Sequence, residues 1–190
     1  YWYPQMAVYD DVNGWQTDYY KGNSEFYMGY ADYDVSFTVP AGWLVTSTGT
    51  LQNPEQVLSA GTRAKLQEAR RTGAIVHVVD DVGQGAGKAT AAGQGGKLTW
   101  RFRANNVRDV SWGTAPNFLW DATVATTGGR PDSTDIYSFY PATGRPSFWA
   151  ETARFGRHSI AYLSRFLWAY PYQHMTIVDG PESCGGMEYP

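Results

Sequence analysis

Residues able to do chemistry are few in this chain. Its three histidines, His77, His158 and His174, are scattered without ligand spacing, and its one cysteine, Cys184, stands alone. A zinc site built wholly within the chain is therefore not expected. Asp32 and Asp34 share one face of an expected strand, but two carboxylates do not define a calcium site, and a solvated face is the simpler reading. Ser159, Ser164 and Ser183 lack the G-x-S-x-G context of a nucleophile elbow. The stretch GQGAGKAT at 83–90 invites a phosphate-binding reading that fails on spacing. Val82 stands where the first glycine belongs, and Ala89 replaces the hydroxyl residue after Lys88. A mobile hairpin loop is expected there instead.

Composition narrows the class. The 190 residues carry 15 Lys+Arg against 18 Asp+Glu, with 17% charged and 16% aromatic residues, so a packed core is expected rather than disorder. The net charge of -3 gives no argument for nucleic acid or an anionic membrane. A single cysteine excludes an intramolecular disulfide, and no apolar run is long enough to span a bilayer. Tyr1 is not an initiating residue, so a mature or excised piece is expected. Cytoplasmic and exported locations both stay open.

The elements that must position any site read mainly as strands. Met6–Tyr9 precedes a polar turn with Asn13-Gly14, a favourable hairpin dipeptide. Residues 26–39 form an expected strand whose second half alternates Tyr33, Val35, Phe37 and Val39 with polar residues, and 43–48 could pair with it. Asn53, Pro54 and Gln56 spell a capping box for a short helix, and a second helix over 62–71 stops at Gly73. Strands are expected over 74–79 and 97–104, where Leu98, Trp100, Phe102 and Ala104 alternate with polar residues. The simplest arrangement pairs them around the glycine loop. Strand-like pieces continue over 106–127.

Gly128-Gly129-Arg130-Pro131 marks an expected boundary, giving an antiparallel β domain over 1–129 and a second part over 130–190. That part reads as a strand at 136–140, a long helix capped by Ser147 and closed by Pro171, a strand at 174–178, and a glycine-led segment at 185–189. Tyr162, Arg165, Phe166 and Trp168 on the helix could mark an interaction surface, but packing against the strands is the expected account. Trp100, Trp112, Trp120 and the tyrosines of 27–33 are likewise expected in the core rather than in a carbohydrate platform.

The stretch YPYQHMTIVDGPESCGGMEYP, 170–190, carries a more specific signal. Gly185-Gly186-Met187-Glu188-Tyr189 resembles the exopeptidase motif of the gluzincin zinc aminopeptidases, the aminopeptidase N-like family. Tyr170-Pro171-Tyr172 followed by Met175–Val178 is similar to the turn and strand ahead of it. NNVRDVSW at 105–112, with Phe118 and Trp120-Asp121, resembles the family's passage into its catalytic domain. Glu25-Phe26-Tyr27, Val39-Pro40-Ala41-Gly42-Trp43 and Leu51-Gln52-Asn53-Pro54 resemble the bacterial branch, and together these matches cover nearly the whole chain in order.

The resemblance implies a saddle-like β domain followed by the opening of a thermolysin-like catalytic domain. It also implies that Gly185 and Gly186 lie on a strand edge where a peptide backbone can approach closely. Glu188 would bind the substrate's α-ammonium, restricting cleavage to the first residue. Met187 and Tyr189 complete the substrate-binding segment, with Tyr189 standing where Asn is commoner. No H-E-x-x-H occurs, so the resemblance implies zinc in a longer parent and none in this chain, with the remainder of a catalytic domain as partner. Two other readings stand beside it: a non-catalytic relative used as a binding or scaffold module, and a carbohydrate- or protein-binding β-sandwich.

Overall fold

The computed structural model describes residues 2–19, 27–141 and 148–180. The protein is mainly β and mostly antiparallel. Its strands are β1 (Tyr9–Asp10), β2 (Gly14–Trp15), β3 (Ala31–Pro40), β4 (Leu44–Ser47), β5 (Thr50–Leu51), β6 (Val76–Val79), β7 (Lys97–Val107), β8 (Trp112–Ala115), β9 (Phe118–Thr126), β10 (Ser133–Pro141) and β11 (His174–Val178). The helices are α1 (Pro54–Val57), α2 (Ala60–Thr72) and α3 (Thr152–Phe166), the last preceded by a 3-10 turn at Trp149–Glu151.

β3, β7 and β5 form one antiparallel sheet, with Phe37 opposite Trp100 and Val35 opposite Phe102. The alternation in both strands sends these rings to one face, where they are buried. A four-stranded sheet runs β11-β10-β9-β6, and its Trp120 and Phe139 stack at 4.8 Å within the same core. The core is thus the space between two sheets, and α2 closes it through Leu66 and Ala69. The other face of the four-stranded sheet is covered by α3, which presents a narrow stripe of Ala153, Gly156, Ile160 and Ser164. A Cβ on Gly156 would come within 3.0 Å of Ile177, Met175 and Ile136, so glycine there lets the helix sit close.

Several expectations about pairing need correction. Residues 76–79 and 97–107 do not form a hairpin: β6 pairs with β9, while β7 lies between β3 and β5. The glycine loop between them is anchored. Thr90 is fully buried and accepts a hydrogen bond from the Gly42 N–H at 2.9 Å, and the Thr62 hydroxyl donates to the Ala89 carbonyl at 2.7 Å. β4 pairs with β8 rather than with β3. Gly49 explains part of this: at φ +90° its absent Cβ would meet the Arg103 backbone at 2.5 Å, so the chain crosses β7 there instead of folding back on β3.

Asn53 forms no capping box. Its side chain instead donates to the Thr99 carbonyl and accepts from the Arg101 N–H, completing the edge of β7. Ser59 caps α2 through the Thr62 N–H, and Gly73, at φ 65°, ends it in the left-handed conformation. The Ser147 cap lies outside the described residues, as do residues 20–26. The division expected at 129/130 falls in the turn between β9 and β10, which pair along nine residues of one sheet.

The aromatic expectations divide. Trp100 and Trp120 are buried as expected, whereas Trp112, Tyr27 and Tyr30 are exposed. On α3 the core-packing expectation is overturned: Tyr162, Arg165, Phe166 and Trp168 face solvent. The small residues of the helix took the sheet side because close seating on a sheet favours them, leaving the rings outside.

Candidate functional site

A cleft of about 1030 Å³ lies between the two parts of the molecule. One wall is β4, β8 and the turn after β7; the other is the segment Tyr170–Gly180, which contains β11. β11 runs parallel to β10 and forms one edge of its sheet. The register exchanges Met175 and Ile177 backbone groups with β10, so those of His174, Thr176 and Val178 point away from it. Three buried polar atoms among the cleft residues, Ser47 Oγ, Thr176 Oγ1 and Arg108 Nε, have no hydrogen-bond partner among the described residues. The Arg108 guanidinium also lies over the Tyr30 ring, 5.0 Å from its centre. The cleft's aromatic lining, which includes Tyr30, Trp112, Tyr170 and Tyr172, has the character of a ligand or polypeptide groove.

His174 ties the two walls together. Its Nε2 lies 3.3 Å from the Ser47 carbonyl, which requires the Nε2–H tautomer, and its ring stacks on Tyr137 at 5.8 Å. Tyr137 in turn donates to Asp135, which also receives both Nε and Nη2 of Arg70 at 2.9 and 2.6 Å. Burial and the Asp135 carboxylate raise the Tyr137 phenol well above the usual tyrosine range, so it stays neutral and serves as a donor. Burial pulls the His174 imidazole below its ordinary value; Arg70 acts in the same direction, against the Ser47 carbonyl and Asp135.

A histidine with a depressed folded pKa is neutral in the fold while the unfolded chain binds its proton more readily. Its contribution is therefore complete above the unfolded value of about 6.5 and is lost as pH falls towards the folded value. Urea unfolding of the parent and of His174→Gln from about pH 7.5 to 5 should show the parent's stability falling more steeply with acidity. A constant difference between the two curves would contradict this account.

On the opposite face of the sheet, Asp121 is 1% exposed and accepts from the Tyr140 hydroxyl at 2.6 Å. Its other oxygen lies 2.6 Å from His77 Nδ1, and the His77 side chain is 63% exposed. Because the carboxylate accepts, Nδ1 carries the proton. This is an oriented His–Asp pair, yet among the described residues His77 makes no hydrogen bond to Ser, Thr or Cys. The pair joins residues 44 apart through β6 and β9, and no local spacing in the sequence signals it.

Gly185, Gly186, Met187, Glu188 and Tyr189 lie outside the described residues. Asp179 and Gly180, the last described residues before them, line the cleft. Asp32 and Asp34 sit on a solvated face, where Asp32 accepts from the Asn106 N–H at 2.8 Å. His77, His158 and His174 are not brought together, and among the described residues no three of His, Cys, Asp or Glu are grouped to hold a metal ion. The described residues thus do not fit a zinc ion, and no chemical step is assigned to one. Comparison with family models, with curated proteins and with solved structures finds no match to this chain.

Proposed function

We propose that this chain forms part of a zinc-dependent aminopeptidase that removes N-terminal residues from peptides, and that alone it is catalytically silent. The observation that carries the reading is the ordered set of sequence resemblances ending in Gly185-Gly186-Met187-Glu188-Tyr189. The cleft beside β11 supports it, because Asp179 and Gly180 line that cleft and the motif begins five residues after Gly180 in the sequence. In this reading the motif offers a backbone edge and a carboxylate to a peptide's amino end. The zinc ligands and the general base come from residues outside these 190.

The test is expression of the complete reading frame that contains these residues. Hydrolysis of aminoacyl anilides is expected from that product, lost on chelation and restored by zinc, with no turnover from the 190-residue chain. A complete reading frame without H-E-x-x-H, or a product that never cleaves free-amino substrates, would overturn the proposal. The aromatic lining of the cleft, Tyr30, Trp112, Tyr170 and Tyr172, favours a second reading, a non-catalytic binding module. It predicts saturable peptide binding by the full product with no turnover at any zinc concentration.

A further inference from the structure

The outer face of α3 is an exposed apolar feature that the proposed function does not use. Phe155, Tyr162, Leu163 and Phe166 lie on it, and Leu167 and Trp168 continue it past the helix end; Phe166 is 68% and Trp168 73% exposed. The rings form a ladder: His158 stacks on Tyr162 at 6.1 Å and Tyr162 on Phe166 at 5.8 Å, with planes within 17°. At roughly 200 Å² for a whole aromatic ring, these side chains expose on the order of 600 Å². That is the upper end for the largest apolar patch of a lone molecule and most of the roughly 800 Å² per side of a standard interface. The patch is rich in Phe, Tyr, Trp and Arg and holds no Lys or Asp, the composition of an interface centre.

The pattern along the helix selects the occupant. At 100° per residue, Glu151, Phe155, His158, Ser159, Tyr162, Arg165 and Phe166 fall on one outward arc opposite the buried stripe of Ala153, Ile160 and Ser164. The acid, which already receives Arg154 Nε at 2.6 Å, stands at the start of this arc and Arg165 at its end, and no other acidic residue occurs between Thr152 and Val178. Turned antiparallel about an axis between His158 and Ser159, the arc matches itself. Phe155 meets the second copy's Tyr162, and Glu151 comes beside the second copy's Arg165 and Phe166. A parallel arrangement would set Arg165 against Arg165. We propose that α3 of one copy packs antiparallel on α3 of a second copy of this chain, forming a two-fold dimer through the aromatic ladder. The inference stands on the exposed face and its charge order, independently of the aminopeptidase reading.

Sedimentation velocity of the 190-residue chain across about 1–100 μM should show a species of twice the chain mass, with dissociation in the micromolar range. Because the ladder faces solvent in one copy, Phe166→Asp and Tyr162→Glu should keep the folded circular dichroism while weakening association by roughly 10–100-fold. Glu151→Arg and Arg165→Glu should each weaken it, and the double exchange should restore it, since the contact is reversed in sign but kept. A chain that stays monomeric at the highest concentration overturns the proposal, and leaves the face to another polypeptide or, if it then sediments with phosphatidylserine vesicles, to a lipid surface. A dimer indifferent to all four substitutions overturns it as well, and failure of the double exchange to restore association excludes the antiparallel register.

Discussion

In the aminopeptidase proposed here, Glu188→Ala is expected to lower kcat/KM on peptides with a free N-terminus by roughly 10²–10⁴-fold. The fold and the zinc content should stay intact. The expectation follows from the role proposed for Glu188: a carboxylate that holds the substrate's α-ammonium both binds the peptide and fixes its scissile bond at the reacting centre. Charge-assisted contacts of this kind are about twice as strong as neutral ones, and misplacement of the bond adds to the loss of binding. An N-acetylated version of the same peptide has no ammonium to lose, so its slow turnover should be unaffected. The ratio of kcat/KM for free and blocked peptide is the measurement. If Glu188→Ala slows both versions equally, the carboxylate does not read the terminus, and the exopeptidase assignment loses its physical basis even where zinc-dependent hydrolysis is found.

Local chemistry in the sequence specified elements well and partners poorly. The alternation of Leu98, Trp100, Phe102 and Ala104 marks a strand because a period of two with one wet face has no other regular solution, and β7 is that strand. Gly73 ends α2 where expected, since a left-handed terminus calls for glycine. Pairing is different. Whether β6 joins β7 or β9 depends on where the intervening loop is tied down, and Thr62 and Gly42, which hold that loop, lie far from it in sequence.

The contacts that build the candidate site were not legible in the sequence. His174 and Ser47 are 127 residues apart, and His77 and Asp121 are joined only by strand pairing, so neither contact has a local signature. On α3 the apolar positions recur at helical spacing around more than one face. Periodicity located the helix but could not choose its buried side; the close approach over Gly156 did.

That distinction between buried and exposed rings sets the largest stability effect. Trp100→Ala is expected to destabilise the fold by about 3–5 kcal/mol, the range for deleting a fully buried large aromatic. Trp100 is 1% exposed, opposite Phe37 on β3, and belongs to the core that Trp120 and Phe139 enter from the other sheet. Truncation therefore removes contacts to both sheets at once and leaves a cavity that neither backbone can close without breaking a ladder. Its indole Nε1 has no hydrogen-bond partner among the described residues, so Trp100→Phe should recover much of the difference. Against a typical total of about 5–15 kcal/mol, the alanine variant stands near the threshold of folding. Tyr162→Ala removes a ring of similar size from the half-exposed face of α3 and should cost less than about 1 kcal/mol at concentrations where the chain is monomeric. Urea unfolding of the two variants under matched conditions decides the matter. Equal losses would mean that the space between the sheets is not the core, and the packing of β7 against the four-stranded sheet would have to be abandoned.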